Sequence, residues 1–215
     1  MRVLPTAIVA AVAASLPAAA AVGAPARTLD YRVTITNLSR ADLTPPVWGV
    51  HNRRSALFAR GAYASPGIGL LAEDGDPSVA MSEFRGKPGV RRVAVAGRIA
   101  PGRSITLRIR TTTRHLRFSF AAMQVCSNDT FAGVSRLPLP LTTKRRVVAV
   151  RAWDAGTERN TESAAHVPCL GAHNVGPDER RRITRDPTIR GIADLSKARH
   201  GWNTAIARLV VRRVR

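Results

Sequence analysis

The stretch VRRVAVAGRIAPGRSITLRIR, residues 90–110, decides the fold. Val93 and Val95 lead into a Gly- and Pro-rich segment, after which Ile105, Leu107 and Ile109 alternate with Thr106, Arg108 and Arg110. Alternation with a period of two puts one set of side chains on each face of an extended strand, so two half-buried strands are predicted. The GRIAPGRS segment between them, residues 97–104, reads as the turn of a hairpin.

The same period recurs on both sides. Upstream, Tyr31, Val33 and Ile35 alternate with Arg32, Thr34 and Thr36, and Asn37 to Ser39 then turn the chain. Residues 44–77 are dense in Gly and Pro without a sustained helical period, which predicts long loops carrying short elements. Downstream, Leu116, Phe118 and Phe120 share one face of a strand that ends in an Asn-Asp loop. RRVVAVRAWDAG, residues 145–156, predicts another strand ending in an acidic loop, and IARLVVRRV, residues 206–214, a final one. Residues 170–204 read as a long connection or a loosely ordered segment. Many short strands with few helical stretches imply an all-β protein, an antiparallel β-sandwich.

At 215 residues and 45% hydrophobic, the chain has material for one sizeable core. Residues 1–26 open with one Arg and an Ala/Val/Leu run broken by Pro17, then reach small residues around Pro25. This is the pattern of a cleaved secretory signal rather than an uncleaved anchor, leaving residues 27–215 as an exported domain, secreted or periplasmic, with no further membrane span. In an oxidising compartment Cys126 and Cys169 can close a disulfide; the alternative is two separate buried thiols.

The formal net charge is +20, and of 34 basic residues only Lys87, Lys144 and Lys197 are lysines. An Arg-rich surface of this kind promotes solubility by itself, and it also attracts anions: an acidic polysaccharide, an anionic envelope component or, nonspecifically, nucleic acid. With aromatic residues at 5%, no run interleaves bases with stacking rings, so specific nucleic-acid binding is not expected.

Against that charge, Asp129 in SNDTFAG and Asp154 and Glu158 in WDAGTE each follow an apolar strand directly. Strand-end loops of a sandwich converge, and three converging carboxylates repel unless Arg or a divalent cation lies between them. Oxygen donors, with Asn128 and Thr157 beside them and no His or Cys at metal-ligand spacing, favour Ca²⁺ over zinc or copper. Gly156 allows the tight curl. The plainer alternative is a solvated turn capped by Arg159.

These residues also carry a resemblance. YRVTITNLS, FARGAYASPGIGLLAEDGD, SNDTFAG, WDAGTE and the closing IRGIADLSKARHGWNTAIARLVV, in this order and spacing, resemble the spondin domain of F-spondin, mindin and single-domain exported bacterial proteins, over roughly residues 29–215. The resemblance implies a β-sandwich similar to calcium-dependent lipid-binding domains. It also implies a Ca²⁺ held by acidic loop residues, which fall on Asp129, Asp154 and Glu158. Glu158 stands where the animal members have Asp, and Thr130 where they have Trp.

Glu73, Asp74 and Asp76 form a denser acidic cluster, which reads as a turn motif or as a source of a fourth ligand. His51, His115, His166, His173 and His200 are scattered without partners at catalytic spacing, and Ser65, Ser127 and Ser135 lack nucleophile-elbow glycines. No catalytic residue is expected. Two function classes remain: a non-catalytic Ca²⁺-binding adhesion or envelope-binding domain, and a metal-independent binder of anionic polysaccharide or envelope acting through its Arg surface. The oligomeric state is unreadable from the sequence.

Overall fold

The computed structural model describes residues 25–171 and 176–214; residues 1–24 of the expected leader, and His173, lie outside the described residues. The elements are β1 Thr28–Asn37, β2 Val47–His51, α1 Pro66–Glu73, α2 Ser78–Arg85, β3 Val90–Val95, β4 Ser104–Thr112, β5 Arg117–Met123, β6 Thr130–Pro138, β7 Arg146–Asp154, β8 Thr184–Asp186, α3 Lys197–His200 and β9 Ala207–Arg213. Every strand pairing is antiparallel, along the path β3-β2-β5-β6-β7-β9-β1-β4 with β8 added to β7. No helix among the described residues is long and apolar enough to cross a membrane.

The path folds over into two leaves joined through β7. Arg146 to Val150 of that strand pair with β9, whereas Arg151 to Asp154 pair with β6. The sheet therefore closes nearly into a barrel, with β3 and β4 as its edges among the described residues. Between the leaves lies the main core, including Tyr31, Val33, Ile35, Trp48, Leu107, Ile109, Phe118, Phe120, Val150, Leu209 and Val211. Tyr31, Val33, Ile35, Leu107, Ile109, Phe118 and Phe120 are among the residues whose period of two marked an inward face.

One pairing expectation fails. The strands at 90–95 and 104–112 form, but not as a hairpin: β3 pairs with β2, and β4 with β1. The connection is held by its middle rather than folded tightly. Ile99 is 1% exposed, exchanges backbone hydrogen bonds with Leu43 at 2.9 and 3.0 Å, and its carbonyl accepts from Asn37 Nδ2 at 2.9 Å. Burying Ile99 turns the Gly/Pro segment into a strap between the two sheet edges.

Residues 44–77 hold more structure than their composition shows. Pro66 sits in the first turn of α1, where a missing N–H costs nothing, and Ser65 caps it by accepting from Ile68 N at 3.3 Å. From α2, Glu83 accepts from Gly67 N at 3.0 Å and from Ser65 Oγ at 2.6 Å, binding the two helices together. They lie on the outer face of β2, β5 and β6, where Ile68, Leu71, Phe84, Ala121 and Phe131 form a second core. Strand β5 is thus buried on both faces, beyond the single face expected for it.

The long connection at 170–204 is anchored by buried Ile183, Ile189, Leu195 and Trp202. Buried Glu162 organises part of it, its carboxylate accepting from the backbone N–H groups of Arg190, Gly191 and Ile192 at 2.6 to 2.9 Å.

Candidate metal centre

Strands β6 and β7 bring the acidic loops together. Thr130 stands opposite Asp154 in their register, so Asp129 and Asp154 arrive side by side at one end of the sandwich. A disulfide between Cys126 and Cys169, with Cα atoms 5.0 Å apart, ties the β5–β6 loop to the connection after β7. The pairing alternative for the two cysteines is therefore the one realised.

Asp129 is 0% exposed. Its Oδ2 accepts from Thr157 N at 2.9 Å and from Glu158 N at 3.1 Å, so it braces the turn that carries Glu158. Its Oδ1 is buried with no hydrogen-bond partner among the described residues. Beside it, Asp154 accepts from Gly156 N at 2.7 Å through Oδ1 and from Asn160 Nδ2 at 2.7 Å through Oδ2. Gly156 has φ +72°, and a Cβ there would stand 2.6 Å from the Arg181 carbonyl; only glycine fits this curl.

Glu158 behaves differently. Its backbone N–H joins the Asp129 cradle, but its carboxylate turns to accept from Gly176 N at 3.1 Å and stands near Glu73 and Asp74. Of the upstream cluster, Asp76 is spent on a turn, accepting from Ser78 N and Oγ at 2.8 and 2.9 Å, while Glu73 and Asp74 repel Glu158.

The electrostatics follow from this crowding. Burial, then the neighbouring charge of Asp154 and more weakly that of Glu158, push Asp129 up to about 7. Burial and then Glu73 push Glu158 up to about 7 as well. Asp154 is raised, chiefly by burial. The expected alternative of an Arg159 cap is not what the loop shows. The ion pairs among the described residues, Asp42 with Arg98, Asp30 with Arg110, Glu179 with Arg181 and Glu162 with Arg190, do not reach Asp129, Asp154 or Glu158.

Sequence reasoning missed Asp186. From β8 its Oδ2 accepts from Thr130 Oγ1 at 2.5 Å, and burial with the charge of Asp154 raises it to about 6. Nothing in its own neighbourhood, TRDP, marks it; only the pairing of β8 with β7 brings it here. Asp154 and Asp186 both line a pocket of about 310 Å³ that opens to solvent.

A divalent cation can be tested against this set. Among the described residues, no three His, Cys, Asp or Glu side chains are gathered closely enough to hold a metal as they stand; within this loop the Glu158 carboxylate is engaged with Gly176 N. The donor chemistry nevertheless fits. A fully buried carboxylate with one oxygen orphaned stands beside a half-buried second one; no ion pair among the described residues reaches either, and the charge of Arg181 lowers Asp154 by less than burial raises it, so the pair is short of positive charge.

The fold and this end of it define an antiparallel β-sandwich with an acidic loop cluster braced by a disulfide. A family model described as Spondin_N matches residues 40–175, and the chain belongs to this family, as the quoted motifs implied. Strands β1, β8 and β9 fall outside the matched range yet pair into the same sheet. A comparison with curated proteins gives no match.

Proposed function

We propose that the protein is an exported, non-catalytic binding module that holds one Ca²⁺ at the acidic end of its sandwich, so that the ion fixes the loops used for recognition or adhesion outside the cell. Asp129, Asp154 and Glu158 are the proposed ligands, the Glu158 carboxylate leaving Gly176 N to join the two aspartates, and Ca²⁺ supplies positive charge to this cluster. The observation that carries this reading is the orphaned Oδ1 of Asp129, in a carboxylate with no solvent exposure. Carboxyls near 7 also suit acid–base catalysis, but a side chain sealed from solvent reaches no substrate, whereas a small cation can be enclosed with it. Carbonyl and carboxylate oxygens without nitrogen or sulfur ligands favour a hard ion, and a flexible coordination shell accepts Glu in place of Asp.

The test is calorimetric titration of Ca²⁺ into metal-stripped protein, alongside Asp154→Asn. Saturable heat for the natural chain that the substitution abolishes is expected. No heat for the natural chain at millimolar Ca²⁺ overturns the reading.

A further inference from the structure

We propose that the end of the sandwich opposite the acidic loops holds a second, metal-independent site: a pocket for an acidic saccharide segment carrying sulfate, phosphate or carboxylate groups. The topology defines that end. Arg117 stands opposite His51 and Pro138 at one extremity of β5, while Met123 stands opposite Phe131 at the other, next to the loop with Asp129. Three connections meet there: the segment after β2, the β4–β5 turn and the β6–β7 loop. Together they enclose about 480 Å³, the size of a small organic ligand rather than a lone ion.

Arg53, Arg54, Arg114 and Arg117 line this space, and none of their guanidinium groups has a hydrogen-bond or ion-pair partner among the described residues. No described Asp or Glu lines it. Asp30, on the neighbouring part of β1, is already paired with Arg110 at 3.1 Å. Four guanidiniums around one concavity repel each other, and a concave wall concentrates their field; an oxyanion relieves both and matches the planar guanidinium fork.

The scaffold under the arginines is firm. Leu139 N donates to the Leu116 carbonyl at 3.0 Å, Tyr31 Oη to the Pro140 carbonyl at 2.9 Å, and Thr111 Oγ1 to the His115 carbonyl at 2.9 Å. Leu116 and Leu139 give an aliphatic wall against which the C–H face of a sugar ring can lie. Among the described residues the lining holds no aromatic ring, so nucleobase stacking has no platform here, and its concavity suits a polymer segment better than the flat surface of a bilayer.

The proposal does not rest on the calcium reading, and its test keeps the two apart. A sulfated disaccharide and, as a small control anion, inorganic pyrophosphate are titrated into the mature protein by calorimetry, in chelator and in Ca²⁺. The natural chain is compared with Arg54→Gln/Arg114→Gln and with Arg151→Gln/Arg208→Gln, which removes the same charge from exposed positions on β7 and β9. Expected is disaccharide binding indifferent to chelator, weakened at least tenfold by the pocket pair and less than twofold by the sheet pair. Equal losses in both pairs mean a diffuse surface field and overturn the pocket. So does absence of disaccharide binding at low salt, and so does binding of anionic phospholipid vesicles, but not the saccharide, that the pocket pair abolishes.

Discussion

Replacing Asp129 by Asn asks directly whether the acidic end is short of positive charge. The Asn carbonyl keeps an acceptor for Thr157 N and Glu158 N, while its amide group takes the place of the orphaned oxygen. A carboxyl at 3.8 in the unfolded chain and about 7 in the folded one binds its proton more tightly when folded. Stability that is full below the unfolded value is therefore lost as pH rises from about 4 to about 7, and stays lost above. At about 1.4 kcal/mol per pH unit across that window, the ceiling is about 4 kcal/mol for Asp129 alone. In chelator at pH 8 the Asn variant should accordingly be the more stable protein, by up to roughly 8–16 °C in melting temperature for a domain of this size. Near pH 4, where the acid is neutral when folded and only about half ionised when unfolded, most of the gap should close. Ca²⁺ should raise only the natural chain, by about 2.7 kcal/mol at a hundredfold excess over Kd, and so narrow the gap. Thermal and urea unfolding at pH 4 and pH 8, with chelator or Ca²⁺, measure all of this. A variant that is the less stable protein at both pH values, with Ca²⁺ affecting neither, refutes the reasoning.

Reducing the Cys126–Cys169 bridge, or replacing both residues by Ala, opens a closure spanning 43 positions; the chain-entropy relation gives a loss of about 4 kcal/mol, readable as a lower urea midpoint. Gly67→Ala would place a Cβ 2.5 Å from Ala80 N, so α1 and α2 must part, and about 1–3 kcal/mol of stability should go with them. Glu162→Gln leaves one oxygen to serve three backbone donors, and amide exchange at Arg190, Gly191 and Ile192 should accelerate before that of the sheet. His51 is fully buried, placed between Ser119 Oγ and the Asn52 carbonyl, and burial holds it below its usual value, so stability should fall as pH drops below about 6.5; His51→Gln should remove that slope.

The strands of the inner core were legible because a leaf with one face toward the core imposes a period of two, as Val33, Ile35, Leu107 and Ile109 show. Where burial is two-sided the period is lost, and β5 could be read only through its larger residues. The helices were hidden for a related reason: Gly67 sits where α2 approaches closely and Pro66 where a helix begins, so residues that normally mark loops here serve a helix pair. Strap and hairpin cannot be told apart from GRIAPGRS, because the difference is where Ile99 is buried. At the acidic end, Asp129 and Asp154 were visible because each closes a strand, and the register of β6 with β7 brings them together. The engagement of Glu158 with Gly176 and the arrival of Asp186 on β8 depend on partners distant in sequence.

The topology also determines whether the two ends of the molecule influence each other. Strand β6 runs from Thr130, beside Asp129, to Pro138, at the Arg-lined pocket. Its eight residue-to-residue steps at about 3.4 Å span roughly 27 Å. That is more than three Debye lengths at physiological ionic strength, about 8 Å each, so charge placed at one end is largely screened at the other. A chain with net charge +20 can therefore keep a carboxylate cluster that seeks a cation and an arginine cluster that seeks an anion without either neutralising its counterpart. Only a mechanical route through the sheet could couple them. The β6–β7 register is continuous only from Thr130 to Gly133, and the β5–β6 pairing that spans both ends is interrupted by a register shift between Phe118 and Phe120, so such a route has little support. Calcium and an acidic saccharide should then bind additively, each leaving the affinity for the other unchanged within about twofold, a result that calorimetry of each ligand in the presence of the other decides.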